Sequence, residues 1–387
     1  MDINELLKSA CSLKASDIHI KVGSPPVFRV NGVLVPQKAL PVIKPEDALR
    51  MVLSVIGPRQ KEIFEKTHDV DFSYSIPGIG RFRCNAFQQR GTAGLVFRII
   101  PFGIPKIDEL FMPDVIKKIA SEERGIILVT GTTGSGKSTT LAAIIDYINS
   151  GRSVNIMTIE DPIEYIHKDA AGIVSQRQIG EDTESFGKAL RAALRQDPDV
   201  ILVGEMRDLE TIEIALTAAE TGHLVLSTLH TLDAAETLNR IISVFPSNQQ
   251  NQIRIQLATV LKGVISQRLV PKADGKGRVP AVEVLIATAT VRSSILDPEK
   301  TSAIRDVIAQ GKNLYGMQTF DQSIMSLLNK GLISYDEALR QASNPADFAL
   351  KVKGISSTSE MGWKDFEKGE DKEGGSGPKP SPDIERF

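Results

Sequence analysis

Along this chain the spacing of apolar positions changes character twice. Ile3, Leu6, Leu7, Ala10 and Cys11 recur at helical intervals behind Asp2, a residue suited to capping a helix start, so the chain opens with an amphipathic helix. The run IHIKV then alternates, and VFRVNGVLV sets two β-rich arms about Asn31-Gly32, a dipeptide favoured in two-residue hairpins. Helical spacing fills roughly 45–66. A β meander follows, with VDFSYSI alternating from Val70 to Ile76 ahead of RFRCNAF and AGLVFRII. Residues 1–100 therefore predict a small α+β domain.

The second change comes after PFGIPKIDELFMP, residues 101–113, where three prolines and a glycine predict an interdomain linker. From Gly125 the apolar runs IILVT, VNIMTI, VILV and LVLSTL are separated by long helical stretches. Near-continuous apolar strands alternating with helices indicate a parallel sheet covered on both faces. Helical periodicity dominates beyond 287, and this second domain is placed at 114–355. The segment 356–387, rich in Ser, Gly, Lys, Glu and Pro, is expected to be disordered.

Composition narrows the function classes. Over 387 residues the chain is 41% hydrophobic and 24% charged, a globular balance that excludes a wholly disordered or fibrous protein. The net charge of −2 and 5% aromatic content supply little of the basic, stacking surface a nucleic-acid binder needs. Two cysteines, Cys11 and Cys84, cannot form a disulfide framework or a four-thiolate zinc site, and they suit a reducing compartment. The N-terminus lacks the apolar core of a signal peptide, and no run approaches the ~20 apolar residues of a membrane span. A cytoplasmic protein is expected, meeting the membrane only through a partner.

The strongest chemical signal is Gly131-Thr132-Thr133-Gly134-Ser135-Gly136-Lys137-Ser138, with Thr139 following. It matches the phosphate-loop pattern at every specified position and stands between the strand IILVT and the helix LAAIIDYI. Glycines let consecutive backbone N–H groups turn toward phosphate oxygens, and the following helix aims its positive end at the same charge. Lys137 is expected to reach the β- and γ-phosphates, and the Ser138 hydroxyl to ligate Mg²⁺. ATP and Mg²⁺ are the ligands this pattern calls for.

Hydrolysis also needs a group to prepare water and a second hold on the metal. Asp199-Val200-Ile201-Leu202-Val203-Gly204-Glu205 has no aspartate at its C-terminal end, so Glu205, facing the crevice beyond a parallel strand, is the first candidate for water activation. The competing reading is a surface ion pair between Glu205 and Arg207. Ile159-Glu160-Asp161-Pro162-Ile163-Glu164 ends another apolar strand with three acids. Glu160 and Glu205 are candidates to hold the metal, through water, and Glu160 and Glu164 are candidate catalytic acids; an acidic turn is the alternative. In GHLVLSTLHT, His230 lies beyond the crevice end of a strand and is a candidate phosphate or metal-water sensor. His223, at the other end, is expected to cap or pack.

Together these segments resemble the PilT-like family of type IV pilus retraction ATPases, within the wider secretion-ATPase superfamily. GTTGSGKS is similar to its Walker A motif, IEDPIE to its Asp box, DVILVGEMRD to its Walker B motif and GHLVLSTLHT to its His box, and ASDIHI and RFRCNAFQQRG extend the likeness over about residues 1–350. The resemblance implies an α/β fold: a RecA-like P-loop ATPase domain with a smaller N-terminal α+β PAS-like domain, assembled as a homohexamer. It implies a catalytic role for Glu205, an Asp-box role for Glu160 and Glu164, and nucleotide-facing arginines from the N-terminal domain, which map here to Arg81, Arg83 and Arg98. It also implies a hydrolase that powers pilus disassembly and twitching motility, working against an inner-membrane platform protein, with a paralogous pilus ATPase as a further partner. The family's AIRNL segment reads Ala303-Ile304-Arg305-Asp306-Val307 here, and GMQTFDQSI resembles the PilU-type accessory paralogue. A PilU-like accessory ATPase or nucleotide-gated assembly module is thus the alternative, with a nucleic-acid translocase behind it.

Overall fold

Asp2 opens the first helix, Ile3–Ser12, by accepting a 2.8 Å hydrogen bond from the Asn4 amide, and Ile3, Leu6, Leu7 and Ala10 turn inward. The computed structural model describes residues 2–100 and 103–353. Six strands follow the helix: β1 (Ala15–Lys21), β2 (Val27–Val30), β3 (Val33–Pro36), β4 (Asp69–Ile76), β5 (Gly80–Gln89) and β6 (Thr92–Ile99). They form an antiparallel sheet in the order β3-β2-β1-β6-β5-β4. Asn31 and Gly32 both take positive φ, +51° and +83°, the geometry that a tight β2–β3 turn requires. The helices Pro45–Val55 and Pro58–Thr67 supply Met51, Val52 and Phe64 to a core with Phe28, Phe82 and Phe97. The rings of Phe82 and Phe97 meet edge to face at 6.1 Å.

The second sheet comprises β7 (Gly125–Thr130), β8 (Asn155–Glu160), β9 (Ile173–Gln178), β10 (Val200–Val203), β11 (Leu224–Leu229), β12 (Leu261–Pro271) and β13 (Arg278–Ile286). Their order is β13-β12-β7-β11-β10-β8-β9, and every pairing from β12 to β9 is parallel. Buried side chains on both faces form two core clusters, one holding Ile126, Leu128 and Ile201, the other Ile127, Val129 and Leu226. The fold is thus mixed α/β, with an N-terminal α+β sheet followed by a largely parallel one.

Three of these strands escape the apolar-run reading. β9 (IVSQRQ) is an edge strand in which two apolar residues are followed by four polar ones. β12 begins where the helix Ser247–Val260 ends, with no glycine or proline between them to mark the change. β13 follows a turn at 272–277 and lies outside the four apolar runs that mark strands in the sequence.

Of the proposed linker, residues 101–102 lie outside the described residues. Ile107, in the short helical turn Ile107–Leu110, is buried against the second core, with Leu110 and Met112 packed beside it.

The chain divides into two compact units. The larger runs to Leu269 and resumes over Arg278–Thr319, so it holds both sheets; the smaller has Val270–Gly277 and the chain from Phe320. In the smaller unit, helices Phe320–Asn329, Tyr335–Gln341 and Pro345–Val352 bury Phe320, Ile324 and Phe348, and Ser334 caps the second by accepting from the Glu337 amide. The expectation for 356–387 lies outside the described residues. Among the described residues, no helix is long and apolar enough to cross a membrane.

Candidate active site

Strand β7 ends at Thr130, and the chain then makes a loop that only glycine-rich sequence permits. Gly131, Gly134 and Gly136 have φ of +139°, +78° and +94°. At Gly131 space excludes any side chain as well, since a Cβ there would stand 2.4 Å from the Gln267 carbonyl oxygen. Strand β12 forms a floor beneath the loop: Gln267 Nε2 donates to the Ser135 carbonyl at 2.8 Å, and Thr130 Oγ donates to Ser266 Oγ at 2.8 Å. The helix Lys137–Gly151 begins at once.

Lys137 is buried, and its ammonium donates to the carbonyls of Gly131 (2.8 Å) and Thr132 (3.1 Å). Burial holds its pKa below the usual lysine value, against the opposing fields of Glu164 and Glu205. The Ser135 hydroxyl is buried with no hydrogen-bond partner among the described residues. A buried cation hydrogen-bonded to carbonyl oxygens, beside an unmatched hydroxyl, suits an anionic oxygen ligand.

The loop opens on a cleft of 590 Å³. Thr133, Gly134, Gly136, Lys137, Ser138 and Thr139 line one wall, while Glu160, Asp161, Glu164, Glu205 and His230 line the other. Gly131, Thr132 and Ser135 belong to the loop but are not wall residues. The acids stand together because β8 and β10 are adjacent parallel strands whose C-terminal ends meet there.

Each acid has a distinct setting. Glu160 Oε1 accepts from Thr158 Oγ1 (2.7 Å) and Gln176 Nε2 (3.1 Å), and burial pushes its carboxyl above the ordinary range against those two bonds. A cis peptide joins Asp161 to Pro162 where the chain leaves β8. Glu164 is exposed. Glu205 is half-buried; its Oε2 receives Arg207 Nε at 2.7 Å and lies 3.6 Å from His230 Nε2. The ion pair foreseen as an alternative therefore exists, and it sits on the cleft wall. Burial, followed by the Lys137 charge, lowers the His230 pKa despite Glu205 beside it. His223 bonds the Ala218 carbonyl at 2.9 Å, capping the helix Leu209–Glu220 away from the cleft.

The three candidate arginines separate. Arg83 lines the cleft. Arg98, its Cα partner across β5 and β6, instead bonds Asp17 at 3.0 Å, and Arg81 donates to Gln178 Oε1 at 2.8 Å. Neither Arg81 nor Arg98 is a wall residue.

Other wall residues carry no motif. Tyr165 and Thr139 share a hydroxyl hydrogen bond of 2.8 Å across the cleft, and Arg278 and Leu269 contribute from the ends of β13 and β12. His167 also lines the wall; burial pushes its imidazole down to about 4, and its Nδ1 has no partner among the described residues. The only sequence clue to Tyr165 and His167 was their nearness to IEDPIE.

The donors suit a hard divalent cation that shares its shell with phosphate oxygens. Ser138 offers a hydroxyl from the first helical turn, and the facing acids offer oxygens for bound water. No cluster of three or more His, Cys, Asp or Glu among the described residues could cage an ion unaided.

Comparison with known proteins places this site in context. The family described as type II/IV secretion system protein matches residues 1–347. The type IV pilus retraction ATPase PilT of Pseudomonas aeruginosa is 47% identical over 348 residues, covering 90% of this chain and all of that protein. The type IV pilus ATPase PilU of the same organism is 41% identical over 353 residues, covering 91% and 92%. A crystal structure of the pilus retraction motor PilT with bound ADP superposes with a TM-score of 0.83 at 47% identity, covering 89% of this chain and 98% of that one. The chain belongs to the type II/IV secretion system protein family, among its PilT-like pilus retraction ATPases.

Proposed function

We propose that this chain is the subunit of an ATP-hydrolysing motor that powers type IV pilus retraction. The observation that carries the reading is the buried Lys137 ammonium, held in a glycine loop and facing Glu205, Glu160 and His230 across one cleft. Relatives named as pilus retraction and pilus ATPases, matching over nearly the whole chain, support the same reading.

In this reading the loop amides and Lys137 grip the β- and γ-phosphates. Ser138 would hold Mg²⁺, which when bound would supply positive charge against the negative charge that develops as the bond breaks. Glu205, oriented by Arg207, takes the proton of the attacking water. Glu160 and Glu164 would help hold the metal, through water, when it is bound, and His230 senses the γ-phosphate. Arg83 meets the phosphates from the N-terminal sheet. The parts are an N-terminal domain at 1–100, a linker at 101–113 and an ATPase domain from 114, and loss of γ-phosphate contacts moves the first against the last. Six such chains in a ring would work on an inner-membrane platform protein, from the cytoplasmic side.

A second reading has its own support. The 41% identity to PilU and the AIRDV wording at 303–307 fit an accessory ATPase acting beside a paralogous motor. Steady-state hydrolysis by the purified full chain, with and without Mg²⁺, tests the first reading. Magnesium-dependent turnover together with loss of pilus retraction on deletion is expected. Absence of turnover by the chain alone, with turnover restored by a paralogue, would favour the accessory role.

A further inference from the structure

The acidic loop after β8 is held from behind by two glutamines on β9. Gln176 donates Nε2 to Glu160 Oε1 (3.1 Å) and to the Tyr165 carbonyl (2.9 Å), while its Oε1 accepts from the His167 amide (2.9 Å). Two residues on, and so on the same face of the strand, Gln178 is buried at 5% exposure. Its Oε1 accepts three bonds: from the Ile163 amide inside the acidic loop (3.4 Å), from Ser73 Oγ on β4 (2.8 Å) and from Arg81 Nη2 on β5 (2.8 Å). One carbonyl oxygen thus joins the cleft wall to the six-stranded sheet.

The surroundings reinforce the tie without replacing it. Glu181 accepts from the Ser73 amide at 3.3 Å and from Gln60 Nε2 at 3.0 Å, so β4 is held a second time by the turn that follows β9. A cavity of 210 Å³ lies alongside, lined by Arg59, Phe72, Arg83, Asp161 and Ile179 among others. Beside this cavity the hydrogen bonds of Gln178 and Glu181 tie the acidic loop and the turn after β9 to β4 and β5. Arg83, Asp161 and Pro162 border both this cavity and the cleft.

We propose that Gln178 is a positioning residue that fixes the acidic loop to β4 and β5 through Arg81 and Ser73, so that turnover at the cleft answers to the placement of the N-terminal sheet. The inference deepens the hydrolytic reading given above and rests on it. It also gives Arg81 a different task from the phosphate contact that its motif suggests. Arg81 acts through Gln178, while Arg83, two residues along the strand, faces the cleft.

The test compares the full chain with Gln178→Leu, which removes the acceptor, and Gln178→Glu, whose carboxylate can accept the same three bonds. Gln178→Leu should lower kcat by about tenfold, with a fluorescent ADP analogue still bound within about twofold of the wild-type Kd. Gln178→Glu should restore most of the rate. In an Arg81→Ala background, Gln178→Leu should add little further loss, because the tie is already cut. An unaltered kcat in Gln178→Leu, a Gln178→Glu variant as slow as the leucine variant, or full additivity with Arg81→Ala would each overturn the proposal.

Absence of turnover in the wild type itself would instead end the hydrolytic reading, and a second measurement keeps the two apart. Hydrogen exchange should show ADP slowing exchange in β4 around Ser73 in the wild type but not in Gln178→Leu. If that variant fails to fold, Ser73→Ala serves in its place, with partial loss of the same protection. Equal protection in wild type and variant overturns the tie whatever the turnover.

Discussion

His230 Nε2 stands 3.6 Å from the carboxylate oxygen of Glu205 that also receives Arg207. The imidazole feels opposed fields: burial and Lys137 favour its neutral form, while Glu205 favours the charged one. Glu205→Gln should therefore lower the His230 pKa further, and Lys137→Ala should raise it. An NMR titration of the histidine ring reads both signs, and a pKa unmoved by either change would deny the electrostatic link.

Glu205→Gln should also leave nucleotide bound but cut turnover by at least about a hundredfold, the scale of a lost general base. Single-turnover hydrolysis alongside a binding titration separates the two effects. Near-normal hydrolysis would move the role to Glu160 or Glu164.

Lys137→Ala should weaken binding of a fluorescent ATP analogue by roughly ten- to hundredfold, the worth of one charge-assisted hydrogen bond at ~1.5–3 kcal/mol. Unchanged affinity would remove the phosphate-loop assignment.

Glu160 offers a test through stability. Burial raises its folded pKa above the unfolded value, so ionising it costs the fold more as pH rises through that raised pKa. Glu160→Gln keeps an oxygen for Thr158 and Gln176 without the charge. The variant should melt higher than wild type at pH 8, by roughly 2–4 °C per kcal/mol relieved, and equal it below about pH 4. A lower melting temperature for the variant at pH 8 would contradict the buried-carboxylate account.

His167 behaves in the opposite sense. The folded imidazole titrates near 4 because it is buried, whereas an unfolded one titrates near 6.5. Between those values the unfolded chain binds the proton more readily, so stability falls as pH drops, by roughly 3 kcal/mol in all. His167→Gln should flatten that part of the melting profile between pH 6.5 and 4. A profile as steep as wild type would place the acid sensitivity elsewhere.

Most of the phosphate site was legible because its geometry is local. The glycines, Lys137 and Ser138 lie in one turn between a strand and a helix, and their spacing alone specifies the loop. Glu205 and His230 were legible for a related reason, since residues just past the carboxyl ends of parallel strands face the crevice. Other parts depend on contacts distant in sequence. Nothing around Gln267 announces that β12 runs beneath the loop, because helix passes into strand there without a breaker. Alternation could put Arg81 and Arg83 on one side of β5, but not reveal that Gln178 takes one and the cleft receives the other. Arg98 was diverted by Asp17, a neighbour only once β1 and β6 pair.

The Gln267 carbonyl under Gly131 divides the phosphate loop into a fixed base and an outer lip. Gly131, Ser135 and Lys137 are shut in, whereas Thr132, Thr133 and Gly134 stand in solvent. No side chain fits beneath Gly131, so the base of the loop tolerates no substitution there. A guest therefore meets the exposed Thr133 and Gly134 first and the captive ammonium last, so the threonines of the outer lip rather than the base are where substitutions can be made without rebuilding the loop.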